Sequence, residues 1–453
     1  MKFAKSNIWP AVVLGILLGG VCRVIFLVNY PYIILTEDSY SYYNSAIEFV
    51  RGGFLRTFFT NWRMPGYPLV LSWIMKPQNT LEYDQVIPQF FASEKVLMAL
   101  QMASGLAALI IIARIVWFLS GERRIVMVLT LLSATAFSVF WYERLMLTES
   151  LSVFFLLLWT LLVFHLFEKA TGARHVLVLF VSWILFLLRP FFLYLPAAAL
   201  LFLLVVHKGK RMAGMTLLFL LLYAVLPCLF VFFNIQFHGY HGINTASDFN
   251  IFGRILQYRL PVDAGRQYRW LSDMVEADRY QTTNPFLFIG TYFPQYYNTP
   301  QKQEEFRLFT RAVLKANLGT YIASSLPSII PAILDQSYIP VVAQYYRPLS
   351  PPLALLFNFH QTLRYVCLFF LPYSIIFLLL SVYRYIRTRK VKEKYEVFVH
   401  IIIWYSLFIS TLGGYHDFSR FNVPSLYLLN LATLIALVKS VRSLRSFVRS
   451  RHI

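Results

Sequence analysis

IWPAVVLGILLGGVCRVIFLV, residues 8–28, is an apolar run interrupted by a single charge, Arg23. Coiled as a helix, a run of this length spans the hydrocarbon core of a bilayer. The residues before it are few and basic, with Lys2 and Lys5, and no small-residue cleavage site closes it. It therefore reads as an uncleaved signal-anchor. The same character returns at about 96–119, 125–141, 150–167, 176–188, 191–206, 213–234, 365–383, 397–412 and 423–438. The stretch 176–206 is long for one span and short for two, and Arg189-Pro190 breaks it. A hairpin of two short helices turning there keeps both of its basic flanks on one side. The expected fold is an all-α membrane protein, a multi-span helical bundle of about ten transmembrane helices. Composition agrees: of 453 residues, 58% are hydrophobic and 14% charged, where a soluble domain carries roughly 25% charge.

The formal net charge of +20 would suit nucleic acid, but its placement excludes that partner. Lys2 and Lys5, Arg123 and Arg124, Lys169 and Arg174, Lys208–Arg211, Arg384–Lys394 and Lys439–Arg451 all fall on one side of a ten-span topology. By the positive-inside rule that side is cytoplasmic, with both termini inside a plasma membrane crossed many times. Contact with anionic lipid is a secondary use of the same charge. Cys22, Cys228 and Cys367 lie in apolar runs and read as small buried hydrophobes.

The outer side carries two long segments, 29–95 and 235–364. The chain thus divides into a transmembrane module over 1–234 that contains the first outer segment, a cap over 235–364, and C-terminal helices with a basic tail over 365–453. The cap is too apolar for a disordered tail and is expected to be helical around 302–317.

Charged residues recur in the outer loops. Thr36-Glu37-Asp38-Ser39 places two carboxylates just past the first span. Apolar residues at 43, 46, 47 and 50 then mark a short amphipathic helix lying on the membrane. Asp38 or Ser39 is suited to cap that helix, and Asp38 is equally suited to act as a base at the water–lipid boundary. Arg63 precedes the turn Pro65-Gly66-Tyr67-Pro68. Glu143 and Glu149 flank Arg144 between the third and fourth spans, where a local Glu–Arg pair is the simplest reading. Arg189 tips the hairpin and is placed to snorkel to the interface. Between the last two spans lies Tyr415-His416-Asp417-Phe418-Ser419-Arg420, whose Arg420 suits an anion. His416 with Asp417, and His238 with His241, have metal-like spacing but too few ligands to define a site. Acids beside arginines at the lipid boundary suit deprotonation of a hydroxyl acceptor and neutralisation of a phosphate leaving group. No nucleotide-binding glycine loop is present.

In order and in common outer location these motifs resemble the GT-C glycosyltransferases, and among them the protein O-mannosyltransferases and the lipid A aminoarabinose transferase. The matching stretches are Glu37-Asp38-Ser39 with Tyr42 and Tyr43, Arg63–Pro68, Leu147-Thr148-Glu149-Ser150-Leu151, Leu188-Arg189-Pro190, and Arg420-Phe421 with Pro424. The resemblance implies inverting transfer of a sugar from a polyprenyl-phosphate donor to a glycan, lipid or protein acceptor on the extracytoplasmic side. It implies Asp38 as base, with Glu37 as its rival because the acidic pair is reversed relative to protein O-mannosyltransferases. It implies Glu149 as a second acid, and Arg63, Arg189 and Arg420 as partners of the donor phosphate. A divalent metal is left open, since some relatives use one and others do not. The Trp-Trp-Asp signature of oligosaccharyltransferases is absent. Two other classes use similar residues: a lipid-linked sugar flippase or transporter, and a surface-polysaccharide ligase or polymerase, for which His238 and His241 would be the test.

Overall fold

The structure, a computed structural model, describes residues 8–75, 92–207, 209–278, 280–335, 339, 348–388, 393–414 and 418–451. Its elements in order are α1 (Trp9–Asn29), α2 (Glu37–Arg51), α3 (Phe54–Phe58), α4 (Gly66–Met75), α5 (Ala92–Ser120), α6 (Arg123–Ala134), α7 (Phe137–Tyr142), α8 (Glu149–Glu168), α9 (Gly172–Leu188) and α10 (Leu195–Val206). There follow α11 (Lys210–His238), α12 (Ala246–Gln257), α13 (Arg269–Asp278), α14 (Pro285–Tyr292), α15 (Pro300–Ala316), α16 (Leu318–Ser325) and α17 (Ile329–Leu334). The last three are α18 (Pro351–Thr388), α19 (Lys394–Gly413) and α20 (Phe418–Arg451).

Among the described residues, seven helices are long and apolar enough to cross a membrane: those at 9–29, 93–120, 149–168, 210–238, 351–388, 394–413 and 420–442. The other three expected spans are shorter. The one expected over 125–141 breaks at Thr135-Ala136 into α6 and α7. The hairpin over 176–206 is present as α9 and α10, with Arg189 extended (φ −151°, ψ 123°) and a 3-10 turn over Pro190–Phe192 between them. Pro190 has no amide to continue α9, so the chain leaves the helix there. His207 at the end of α10 returns to the Leu166 carbonyl at 3.2 Å, so the two arms lead back to one end of the bundle.

The main core is an apolar cluster that draws on α1, α2, α4–α11 and α17–α20 and includes the fully buried Trp141 and Trp159. One buried ion pair pierces it. Arg23 of α1 meets Glu143 in two-point contact, Nε–Oε2 2.8 Å and Nη2–Oε1 2.5 Å. Gly105 of α5 makes room: a Cβ there would sit 1.8 Å from the Glu143 carboxylate. This corrects the expected local pairing of Glu143 with Arg144. Arg144 instead donates to the sulfurs of Met98 (3.0 Å) and Met102 (3.4 Å). Cys228 also differs from expectation, being exposed on α11, whereas Cys367 is buried.

A second apolar cluster, built on Phe249, Phe252, Phe288, Phe306 and Phe309, forms a cap of α12–α15 that includes the helix expected near 302–317. It docks on the first outer segment through Thr245 N–H to the Asn61 carbonyl (2.7 Å) and Trp62 edge-on to Phe249. Arg254, fully buried, clamps it to the end of α19 by donating to the carbonyls of Thr411 (2.6 Å) and Gly414 (2.7 Å).

Candidate active site

Three devices bring distant loops to one end of the bundle. The first is a bridge between the first and second outer loops. Ile34 donates to the Arg144 carbonyl (2.7 Å) and accepts from the Met146 amide (3.3 Å). It ties the approach to Asp38 to the approach to Glu149. The second is Gly66, whose Cα lies so close to α9 that a Cβ would be 2.7 Å from the Leu187 carbonyl oxygen. That contact holds the Arg63 turn against the Arg189 end of α9. The third is the buried amide of Gln101 in α5. It donates to the carbonyls of Glu143 (3.1 Å) and Leu145 (3.2 Å) and accepts from Ser150 Oγ (2.9 Å) and Tyr67 OH (3.4 Å). All four of its hydrogen-bonding positions are thereby filled.

Asp38 sits in the first turn of α2. Thr36 is the N-cap there, and Thr36 and Ser39 form a reciprocal capping box, with Thr36 N–H to Ser39 Oγ at 3.0 Å. The expectation that Asp38 or Ser39 caps the helix is corrected: Thr36 does, and the Asp38 carboxylate turns elsewhere. The helix does not use its apolar face on lipid either. Tyr43, Ala46 and Ile47 are buried, packed towards α4, and only Val50 is exposed.

The carboxylate of Asp38 is held by two arginines. Arg63 bonds Oδ1, and Arg420 Nη1 lies 2.6 Å from Oδ2. Arg63 is itself fixed by Ser41 Oγ (2.8 Å) and by the rings of Tyr42 and Trp62. Arg420 continues to Glu149, Nε to Oε1 at 2.5 Å, and Arg189 Nη2 reaches the same oxygen at 3.5 Å. Glu149 is fully buried, while the side chain of Asp38 keeps 27% exposure. Arg189 is also buried, lies over the Phe421 ring and does not snorkel, and its Nη1 has no hydrogen-bond partner among the described residues.

The result is one chain of alternating charge, Arg63–Asp38–Arg420–Glu149–Arg189, drawn from five separate parts of the sequence. Its three guanidinium groups exceed its two carboxylates by one formal positive charge. Burial opposes ionisation of Asp38, but the fields of Arg63 and Arg420 outweigh it and hold the group well below the usual carboxylate range.

All five of these expected residues therefore meet. Glu37 is exposed, whereas Asp38 pairs with two arginines and keeps a quarter of its side chain open. His416 and Asp417 lie outside the described residues. His238 bonds the Phe59 carbonyl (3.1 Å) and His241 pairs with Glu304 (3.3 Å). Among the described residues no three His, Cys, Asp or Glu side chains gather as a metal cluster. Gln101 and Arg254 were not among the expected residues, and Tyr67 was expected only as part of the turn after Arg63. For the buried pair with Glu143 the available signal was Arg23, a lone charge inside an apolar run.

No family model matches the chain, and no curated protein matches it. A search of solved structures finds the Archaeoglobus fulgidus oligosaccharyltransferase, crystallised with zinc and sulfate, at 11% identity and a TM-score of 0.46. That match covers 95% of this chain and 49% of the other, so this chain spans about half its length. A likeness this loose carries no functional weight.

Proposed function

We propose that the protein is a membrane glycosyltransferase that moves a sugar from a polyprenyl-phosphate donor to a hydroxyl acceptor at the outer face, with inversion. The observation that carries this reading is the convergence of Asp38, Glu149, Arg63, Arg189 and Arg420 at one end of a membrane-spanning bundle. Burying Glu149, Arg189 and Arg420 and half-burying Asp38 and Arg63 beside the bilayer is expensive, and such residues ordinarily mark a functional site. The surplus positive charge suits a phosphodiester, which carries a single negative charge. The sequence motifs that resemble GT-C enzymes supply the same five residues independently.

In the mechanism, Arg189 and Arg420 receive the lipid phosphate and orient the anomeric carbon towards Asp38. Asp38 takes the proton of the acceptor hydroxyl. The acceptor oxygen then bonds to the anomeric carbon as the carbon–oxygen bond to the phosphate breaks. The electron pair stays on the lipid phosphate, whose growing charge the arginines stabilise. Glu149 keeps Arg189 and Arg420 in place.

The reading is tested by transfer assays on the full chain in lipid nanodiscs, with a panel of radiolabelled polyprenyl-phosphate sugars. Asp38→Asn and Arg420→Ala are each expected to lower transfer by about 10²–10⁴-fold, the usual worth of a general base or of an electrostatic group. Full transfer by both variants would refute the site. A flippase would instead need charges strung across the bilayer. The pair Arg23–Glu143 is fully buried and satisfied within itself, with Arg23 over the Phe140 ring.

A further inference from the structure

We propose that Arg420 masks the Asp38 base until a lipid-linked phosphate draws its guanidinium away, so that donor must bind before acceptor can be deprotonated. This deepens the transferase reading and rests on it.

Both oxygens of Asp38 are occupied, Oδ1 by Arg63 and Oδ2 by Arg420 at 2.6 Å. A carboxylate held between two charge-assisted bonds is a poor proton acceptor. Something must leave before it can work. Arg63 is the less mobile of the two, because it is pinned to Ser41 of the same helix and packed against Tyr42 and Trp62.

Arg420 differs. Its contacts include two acids, with Nη1 on Asp38 and Nε on Glu149. A small rotation about the Glu149 contact releases Asp38 without leaving Arg420 unpaired. The attraction for such a rotation lies next door. Arg189 shares Glu149 Oε1 and holds a buried Nη1 with no partner among the described residues. A phosphate that docks on this open donor arrives beside Arg420 and has spare oxygens to offer it. Glu149 thus positions the pair of cations that the phosphate bridges.

Once Oδ2 is released, burial again opposes the charged form of Asp38, and only Arg63 counters it. Proton affinity rises as the acceptor comes in. The acceptor proton passes to Oδ2, and the added negative charge of the departing phosphate falls on Arg189 and Arg420. In the empty protein the base stays quenched, so water in the site is not activated.

The test is an infrared titration of the full chain in lipid nanodiscs, with and without undecaprenyl monophosphate. The Asp38 carboxyl band is assigned by difference against Asp38→Asn, and lipid binding is checked in parallel by native mass spectrometry. With lipid bound, the pH of half-protonation of Asp38 is expected to rise by about one pH unit or more, a tenfold gain in proton affinity. Arg420→Gln is expected to show a similar rise without lipid. An unchanged or lower titration point with lipid bound overturns the gating and leaves the transferase reading standing. Failure to bind the lipid at all overturns both. The wild-type comparison decides the matter even if Arg420→Gln does not fold.

Discussion

At one end of α8, Glu149 is fully buried and shares one carboxylate oxygen with Arg420 and Arg189. At the other end, nineteen peptide steps and about 28 Å along the axis, Glu168 is 26% exposed and faces Lys394 across 3.4 Å. α20 repeats the contrast, with Arg420 buried near its start and Lys439, 46% exposed, paired with Glu396 near its far end. Both ends thus hold acids beside bases. Pairs of the second kind, each with at least one side chain partly open to water, are worth little, because water and salt screen them. Their placement records topology: the basic loops are gathered on the side expected to be cytoplasmic. Pairs of the first kind pay a large desolvation cost that their attraction only partly returns. Their retention at the opposite end fits a site that needs charge.

The sharpest break of this comparison lies just beneath the site. Arg23→Met or Glu143→Leu alone leaves an uncompensated buried charge. Each is expected to lower stability by about 3–5 kcal/mol, while the double variant recovers most of the loss. Thermal unfolding in nanodiscs reads both. Equal losses in the single and double variants would mean that the pair contributes by shape alone.

The long apolar helices and the outer placement of Asp38, Glu149, Arg63, Arg189 and Arg420 were legible in the sequence. Apolar runs of span length, and outer loops that each carry a charge, suffice for both. Pairing across the chain was not. Glu143 has Arg144 as its neighbour in sequence, yet a helix packed 120 residues away supplies Arg23 instead. Only the missing Cβ of Gly105 makes the space, and a glycine in an apolar run gives no hint of that. The break of the third expected span at Thr135-Ala136 lacks a proline or glycine to announce it. The apolar face of α2 was visible, but its burial towards α4 rather than against lipid is a tertiary outcome. Asp38 and Glu37 are adjacent acids in sequence, and only the fold sets one inside and the other outside.

A second contrast sets the site against the cap. Asp248 of α12 is buried and accepts from Tyr240 OH at 2.5 Å. Burial pushes it up to about 6, against that hydrogen bond and the fields of Arg311 and Arg307. A raised carboxyl binds its proton more tightly in the folded chain, so its contribution to stability falls as pH rises from about 4 through 6. The span of this effect is about 3 kcal/mol at most. Asp38 has the opposite sign: its contribution is present above the ordinary carboxylate range and is lost as pH falls below it. Melting temperature across pH 4–7 should therefore lose part of its slope in Asp248→Asn. An unchanged slope would show that Asp248 ionises normally.

The smallest effect is expected at the far end. Lys394→Ala removes the partner of Glu168 and should change stability by no more than about 1 kcal/mol, with sugar transfer unaffected. A large loss there would erase the distinction between the two ends.

The central claim is that the five charged residues form one receptor for a lipid phosphate. It is tested most directly by measuring undecaprenyl monophosphate affinity, by native mass spectrometry in nanodiscs, for wild type, Arg189→Ala, Arg420→Ala and Lys394→Ala. Binding weakened about tenfold or more in the first two variants, the usual worth of a charge-assisted contact, and unchanged in the third, is the result expected. Equal affinity in all four proteins would contradict it.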